Sequence, residues 1–457
     1  MVRHSIRRRD SGVLERPRMK LSDLRGIRVL VWGGAREGYT ATEICLKQNC
    51  AVAIVSDTPE TDTDAQRSAE SLDVPLIGVA DIPQWNPDFI VRSPGVSRYR
   101  DELTNFASSG LLALWLADQD PRRIIGVTGT KGKSTTSTLI ANILQSAGHS
   151  VELAGNIGVP VTQTSRTTDF VVVEVSSYQA SDCTTSPSIG VLTTLGEDHI
   201  PWHGSLVNYH RDKLNLFGHP QLEHMVCHVS AHEALTSYGH HHALGKKFSN
   251  SQHSVHVALA TPQGEAALER MGNTTFPRNL ELAMDAALAA DNSLTLAHVL
   301  DALDNTHPLP SRQQLVATKG KRLFIDDALA SNPLGVIAAI ERFDISRFVL
   351  IMGGEDRNVD FGPLCEAVNN AQHLAGIVVL GESKSRLYKQ LLTTRATVRL
   401  ANSDNVADGV RSAISLTHEG DRVIFSPGAP TPREMGDYQT RSAQFAEGIE
   451  GLEFDWS

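Results

Sequence analysis

The residues from Gly126 to Ser134, Gly-Val-Thr-Gly-Thr-Lys-Gly-Lys-Ser, are of the types that hold a polyphosphate. An apolar run, RIIGV (123–127), delivers the chain into a glycine-rich loop, and a helical stretch follows to Gly148. In such a turn backbone N–H groups point inward and the next helix aims its positive end at the same place. Lys133 can then reach the β- and γ-phosphates, and the Ser134 hydroxyl can ligate Mg²⁺. Gly129, Thr130, Lys131, Gly132 and Thr135 complete the cradle. The spacing is not a strict GxxxxGK[ST], because position 127 is valine and Gly126 comes one residue early. Kinases, hydrolases and ligases all use such loops, so the loop predicts ATP binding and leaves the reaction open. The plainer alternative is a glycine-rich turn with a chance Gly-Lys-Ser.

Three more residues could do chemistry. Glu174 interrupts the apolar run FVVVEVSS (170–177), where an unpaired carboxylate is costly and a metal ion would offset the cost. His199 follows the end of a strand, where α/β sites assemble, although a lone histidine is more often structural. Lys213 falls on a helix, where a lysine is ordinarily a surface charge.

These residues need a scaffold to position them. At about 150 residues per domain, 457 residues predict three domains. The composition, 41% hydrophobic and 21% charged, is that of a globular protein. With 42 Lys and Arg against 52 Asp and Glu the net charge is −10, which argues against a nucleic-acid coat but not against a small anionic ligand. The five cysteines lack CxxC spacing and read as reduced thiols of a cytoplasmic protein. No apolar run approaches the ~18 residues that span a bilayer, so no membrane partner is expected. Residues 1–20 carry seven basic side chains with no apolar segment behind them, which excludes a signal peptide and predicts a disordered basic tail, or an overlong start preceding Met19.

From Arg28 onward β-branched runs alternate with helical stretches, the pattern of parallel α/β sheets. Strands are predicted at 28–32, 51–57 and within 88–97 for a first unit (21–120). The second (121–310) takes the run into the glycine loop, 170–177 and 189–196. The third (311–457) takes 322–327, 348–354, 376–381 and 422–427. Residues 228–276 read as polar and irregular, with His240, His241 and His242 in a solvated loop. The fold expected is three Rossmann-like or P-loop-like α/β domains in series, with mainly parallel sheets.

Read together, the motifs resemble the Mur ligases, in particular the muramoyl-alanine–glutamate ligases of peptidoglycan synthesis. The resemblance runs from about residue 21 to 451 through GVTGTKGKSTT (126–136), AGNIGVP (154–160), VVEVSSYQ (172–179), EDHIPWHGS (197–205) with YHRDKL (209–214), and LPSR (309–312). It continues through FIDDALASNP (324–333), MGGEDRNVDF (352–361) and SPGAPT (426–431). It implies ATP-dependent amide formation between UDP-N-acetylmuramoyl-L-alanine and glutamate through an acyl phosphate. By this resemblance Lys133, Glu174, His199 and Lys213 are catalytic. Two Mg²⁺ ions are held by Ser134, Glu174, His199 and Lys213, the lysine as a carbamate. Asn279 and Asp327 contact adenine and ribose, and Arg312 the phosphates. Gly33, Gly34, Gly38, Asp57, Ser93, Gly95 and Asn156 take the nucleotide-sugar substrate. Ser331, Arg357, Thr431 and Tyr438 take glutamate. The implied protein is a cytoplasmic monomer acting on small molecules.

Several positions depart from the family pattern. An asparagine expected three residues after Asn279 is Leu282, and the lysine of the segment that normally reads Asp-Ser-Lys-Ala-Thr-Asn is Leu329. The lysine of the later Gly-Gly loop is replaced by Arg357, whose guanidinium can clamp a carboxylate bidentately. The changes concentrate on the amino acid that is added. The turn Trp32-Gly-Gly-Ala-Arg-Glu-Gly38 and the Gly-Gly-x-Asp-Arg loop look more like a variant that adds L-glutamate, with D-glutamate the close alternative. A folylpolyglutamate synthase-like ligase and a nucleotide-binding regulator without turnover are the other readings. The first lacks an N-terminal nucleotide-sugar domain, and the second has no reason to retain Lys133, Ser134, Glu174, His199 and Lys213 together.

Overall fold

The computed structural model describes residues 19–228, 231–238, 252–271, 276–307, 310–355, 361–381, 384–392, 398–432 and 436–453. It contains three sheets, in line with the α/β fold expected. The first has β1 (Arg28–Trp32), β2 (Ala51–Ser56), β3 (Leu76–Gly78), β4 (Phe89–Arg92) and β5 (Ser108–Gly110), in the order β3-β2-β1-β4-β5. The second has β6 (Ile124–Thr128), β7 (Val151–Gly155), β8 (Phe170–Glu174), β9 (Ile189–Leu192) and β10 (His224–Cys227), in the order β10-β9-β6-β8-β7. Every pairing in these two sheets is parallel. In both, the first strand of the unit lies at the centre, where the strand order reverses and α/β folds place their ligands.

The third sheet is mixed. It has β11 (Gln314–Lys319), β12 (Arg322–Asp326), β13 (Phe348–Gly353), β14 (Leu374–Leu380), β15 (Arg399–Asn402) and β16 (Arg422–Phe425), in the order β11-β12-β16-β13-β14-β15. Only β11 runs antiparallel, against β12. Gly320 and Lys321 both take positive φ between them, the geometry of a two-residue type I′ hairpin.

The chain forms two compact units, one carrying the first two sheets and the other the third. The helix Leu111–Asp118 (LLALWLAD) explains why two sheets share a unit. Leu111 and Leu114 join the core of the first sheet, while Leu112, Ala113, Trp115 and Leu116 join that of the second. A helix apolar on every side is a buried one. Each of its four leucines contributes about 1.5–3 kcal/mol on burial, so this helix is a main source of cohesion there.

The segment 228–276, expected to be irregular, contains the helices His232–Ser237, Gln252–Leu259 and Pro262–Met271. Val255, Ala258, Ala267 and Met271 are buried, a sparse apolar stripe that the many histidines and polar residues hide in the sequence. His240, His241 and His242 lie outside the described residues. So do residues 1–18 of the basic tail, whereas Met19 packs on the first sheet's core. All five cysteines are free.

Candidate active site

The glycine loop follows β6 directly. Gly129 (φ 152°) and Gly132 (φ 84°) take conformations that side chains resist, and a Cβ on Gly129 would lie 2.0 Å from Thr193 Oγ1. The helix Lys133–Ser146 starts from Gly132. The chain after β9 buttresses the loop. Thr130 N donates to Thr194 O (2.9 Å), Lys131 N to Thr194 Oγ1 (2.8 Å), and Gly196 N to Thr130 Oγ1 (2.9 Å). Lys133 curls over the loop, its Nζ donating to Gly129 O at 3.0 Å. Ser134 is fully buried and its Oγ has no hydrogen-bond partner. Thr135 follows it, half-buried. On the helix Phe276–Ala290, Asn279 presses against the loop, its Oδ1 2.7 Å from where a Cβ of Gly132 would stand and its buried Nδ2 unpartnered.

Glu174 ends β8 opposite Val127, beside the strand that feeds the loop. It is fully buried. Its Oε1 accepts a hydrogen bond from Asn156 Nδ2 (2.8 Å), and Oε2 has no partner. Asn156 N also donates to Glu174 O (3.0 Å). Ser176 caps the next short helix by exchanging hydrogen bonds with Gln179, which fixes the SSYQ turn. His199, in the left-handed region (φ 54°), packs against the Tyr178 ring with centroids 4.9 Å apart. Lys213 sits on the helix Leu206–Leu214, which Ser205 caps. It is no surface lysine: it is 2% exposed, and its Nζ donates to Gly129 O at 3.0 Å. Burial first, and then the charge of Lys133, push its pKa well below the ordinary lysine value.

Gly95, Gly129, Thr130, Lys133, Asn156, His199 and Lys213 line one cavity of about 360 Å³. Tyr178, Asp198 and Tyr209 line it too, and the sequence reading did not single them out although each lies inside a motif it used. Tyr209 hydrogen-bonds Thr130 Oγ1 through its hydroxyl (2.9 Å), and its ring lies 5.0 Å from Lys213 Nζ. Two orphaned buried oxygens, Ser134 Oγ and Glu174 Oε2, are hard donors of the kind Mg²⁺ takes, so the residues present fit such an ion. Among the described residues no group of three His, Cys, Asp or Glu side chains could hold a metal. A lysine amine would join the donor set only as a carbamate.

At the first sheet Gly33 (φ 100°), Gly38 and Ser93 crowd together: a Cβ on Gly38 would fall 1.8 Å from Gly33 O, and one on Gly33 would meet Ser93 Oγ at 2.8 Å. Gly34 lies against Ala65, where a Cβ would come 2.2 Å from its Cα. Asp57 is bound by Arg100 (2.8 Å), whose guanidinium lies 4.6 Å over the Trp32 ring. Arg100 carried no motif signal. In the second unit Asp327 accepts from Ser426 Oγ (2.7 Å), and burial raises its pKa to about 7 against the pull of Ser426 and Arg312. Ser331 is exposed on the chain leaving β12, while Thr431 and Tyr438 follow β16. Arg357 lies outside the described residues.

The Mur ligase middle domain family matches residues 127–269. A UDP-N-acetylmuramoyl-L-alanine–L-glutamate ligase of Micromonospora sp. is 33% identical, covering 94% of this chain and 98% of that protein. In structure, the UDP-N-acetylmuramate–alanine ligase of Thermotoga maritima is similar with a TM-score of 0.54 and 16% identity, over 93% of this chain and 100% of that one. A folylpolyglutamate synthase of Mycobacterium tuberculosis complexed with ADP also gives 0.54 at 13% identity, but over 73% of this chain and 92% of that one.

Proposed function

The chain belongs to the Mur ligase family, and on that premise we propose that it joins glutamate to UDP-N-acetylmuramoyl-L-alanine, converting ATP to ADP and phosphate. The substrate carboxylate attacks the γ-phosphate, forming a C–O–P bond and releasing ADP. The glutamate amine attacks the acyl carbon of this mixed anhydride, and phosphate leaves with the bonding pair. Positioning and charge neutralisation do most of such work. The observation that carries the reading is the single cavity where Lys133 of the phosphate loop meets Asn156, His199 and Lys213.

In this proposal the loop from Gly129 to Ser134 and Lys133 hold the transferred phosphoryl group, and Asn279 supports the loop at Gly132. Asn156, anchored by Glu174, faces the muramoyl-alanine. Gly33, Gly34, Gly38, Asp57, Ser93 and Gly95 take the nucleotide sugar, Arg312 and Asp327 the nucleotide, and Ser331, Arg357, Thr431 and Tyr438 the glutamate. Ser134, Glu174, His199 and Lys213 as a carbamate would hold Mg²⁺, which would supply charge to screen the anionic carboxylate from the anionic phosphate. The low proton affinity of Lys213 supports its role, because only a neutral amine adds to CO₂. L-glutamate is the preferred amino acid, a choice supported by the similarity to the L-glutamate ligase of Micromonospora. The enzyme works in the cytoplasm as a monomer on small-molecule substrates. Among the described residues no helix is long and apolar enough to cross a membrane.

Incubation with ATP, Mg²⁺ and UDP-N-acetylmuramoyl-L-alanine, with L- and D-glutamate offered separately, tests the proposal. Stoichiometric ADP and dipeptidyl product with L-glutamate is expected. Turnover with a folate acceptor but not the muramoyl one would overturn it, as would phosphate release indifferent to both substrates.

A further inference from the structure

Arg441 stands apart from every role assigned above. It lies in the first turn of the helix Tyr438–Glu450, yet it is 3% exposed. Its guanidinium donates to three backbone carbonyls at long range: Ala429 O at 3.1 Å, Ala328 O at 3.4 Å and Pro430 O at 3.4 Å. Its Nε is buried without any hydrogen-bond partner. Nη1 also abuts Gly354, only 3.0 Å from where a Cβ of that glycine would be.

The three segments that Arg441 touches leave the ends of β12, β16 and β13, three neighbouring strands in the middle of the third sheet. They are also laced directly to one another, through Gly428 N to Ala330 O (2.8 Å), Gly353 N to Pro427 O (2.7 Å) and Glu355 N to Pro430 O (3.0 Å). The carboxylates nearby are engaged elsewhere. Asp326 accepts from Ala328 N (2.9 Å) and Ser442 Oγ (2.6 Å), and Asp327 from Ser426 Oγ. Arg441 is therefore a buried cation hydrogen-bonded only to carbonyls, with the Asp326 carboxylate acting on it through charge alone and one of its donors unmet. Such a charge is costly unless something compensates it. Burial lowers its pKa to about 10, against the opposing pull of the Asp326 carboxylate.

We propose that Arg441 is a positioning residue of the incoming amino acid's site: it gathers the three loops at the carboxyl ends of these strands, and its charge, only partly offset by Asp326, draws a dicarboxylate to them. The inference rests on the ligase reading and adds to it an electrostatic basis for choosing an acidic amino acid. Leu329 stands on one of the same loops where the family pattern has a lysine, so a cation beneath the loops takes over part of what a cation on them would do.

Steady-state kinetics of the wild type, Arg441→Gln and Arg441→Lys test this, with ATP, muramoyl-alanine acceptor and glutamate varied in turn. Arg441→Gln should raise KM for glutamate at least tenfold and leave KM for ATP and for the acceptor within about twofold. Arg441→Lys should recover much of the glutamate KM, because it keeps the charge and loses only the fork. The wild type should also reject glutamine, which lacks the second carboxylate, more strongly than Arg441→Gln does. A uniform loss across all three substrates, or a glutamine preference that does not change, would overturn the proposal. Failure of both variants to fold, judged by circular dichroism, would overturn it as well and assign Arg441 to the scaffold. If the wild type itself shows no glutamate-dependent turnover, it is the ligase reading that fails.

Discussion

A lysine amine that is buried beside another cation loses its proton readily, and Lys213 is in that position. If it reacts with CO₂, the reactive form is the neutral amine, so carbamylation should fall as pH is lowered and the amine protonates. Lys213→Ala should lose at least about 10²-fold in kcat, and short carboxylates that restore the missing anion should recover part of it; no rescue would leave Lys213 a structural lysine. Lys133→Ala should abolish acyl-phosphate formation, a loss of the ~10²–10³-fold size found when a preorganised charge contact to the transition state is removed. Asp327 gives a pH signature in stability. Its folded pKa is raised to about 7 from the ordinary value near 4. The folded state therefore holds a proton that the unfolded state gives up, and stability should decline as pH rises across that interval. Asp327→Asn should flatten this part of the stability–pH curve, as read by denaturant melts at pH 4 to 8. At this scale the sequence was informative where a residue was out of place. Glu174 stood out because an apolar run carries no carboxylate without compensation. Lys213 did not, since its burial comes from packing between the loop and Tyr209, and Arg100 and Arg441 were hidden for the same reason.

Among the elements, the glycine loop is the most constrained by its own residues. Gly129→Ala should force Thr193 aside and pull the loop out of shape, at a cost of about 1–3 kcal/mol for the strained backbone. A lower melting temperature together with weakened nucleotide binding is expected, and calorimetry on the same preparation reads both. An unchanged nucleotide affinity would mean that the loop does not need its observed shape. Central strands were legible because they are buried and read as mainly apolar runs: β1, β6, β8 and β13 are of this kind. The edge strands β3, β5, β11 and β15 were not, because they are short or half-exposed and pairing rather than composition makes them strands. The helix Leu111–Asp118 has no amphipathic period to read, since both its faces are covered. The Gly320–Lys321 hairpin turn was missed because lysine is an unusual occupant of a left-handed turn.

For the molecule as a whole, alternating runs sufficed to foresee three sheets, whereas the joining of the first two in one compact unit depended on a buried helix that no local pattern announces. The functional reading joins these scales: a phosphate loop in the second sheet, an acceptor turn in the first, and an amino-acid site on the third. What unites them is the claim that a carboxyl group is activated by phosphorylation before the amide forms. The direct measurement uses acceptor labelled with ¹⁸O in the alanine carboxylate, followed through one round of turnover with ATP and L-glutamate. Transfer of one labelled oxygen from each acceptor into the inorganic phosphate released is the result expected. Unlabelled phosphate, with both labelled oxygens kept out of it while product accumulates, would contradict an acyl phosphate and with it the role given to Lys133 and the loop.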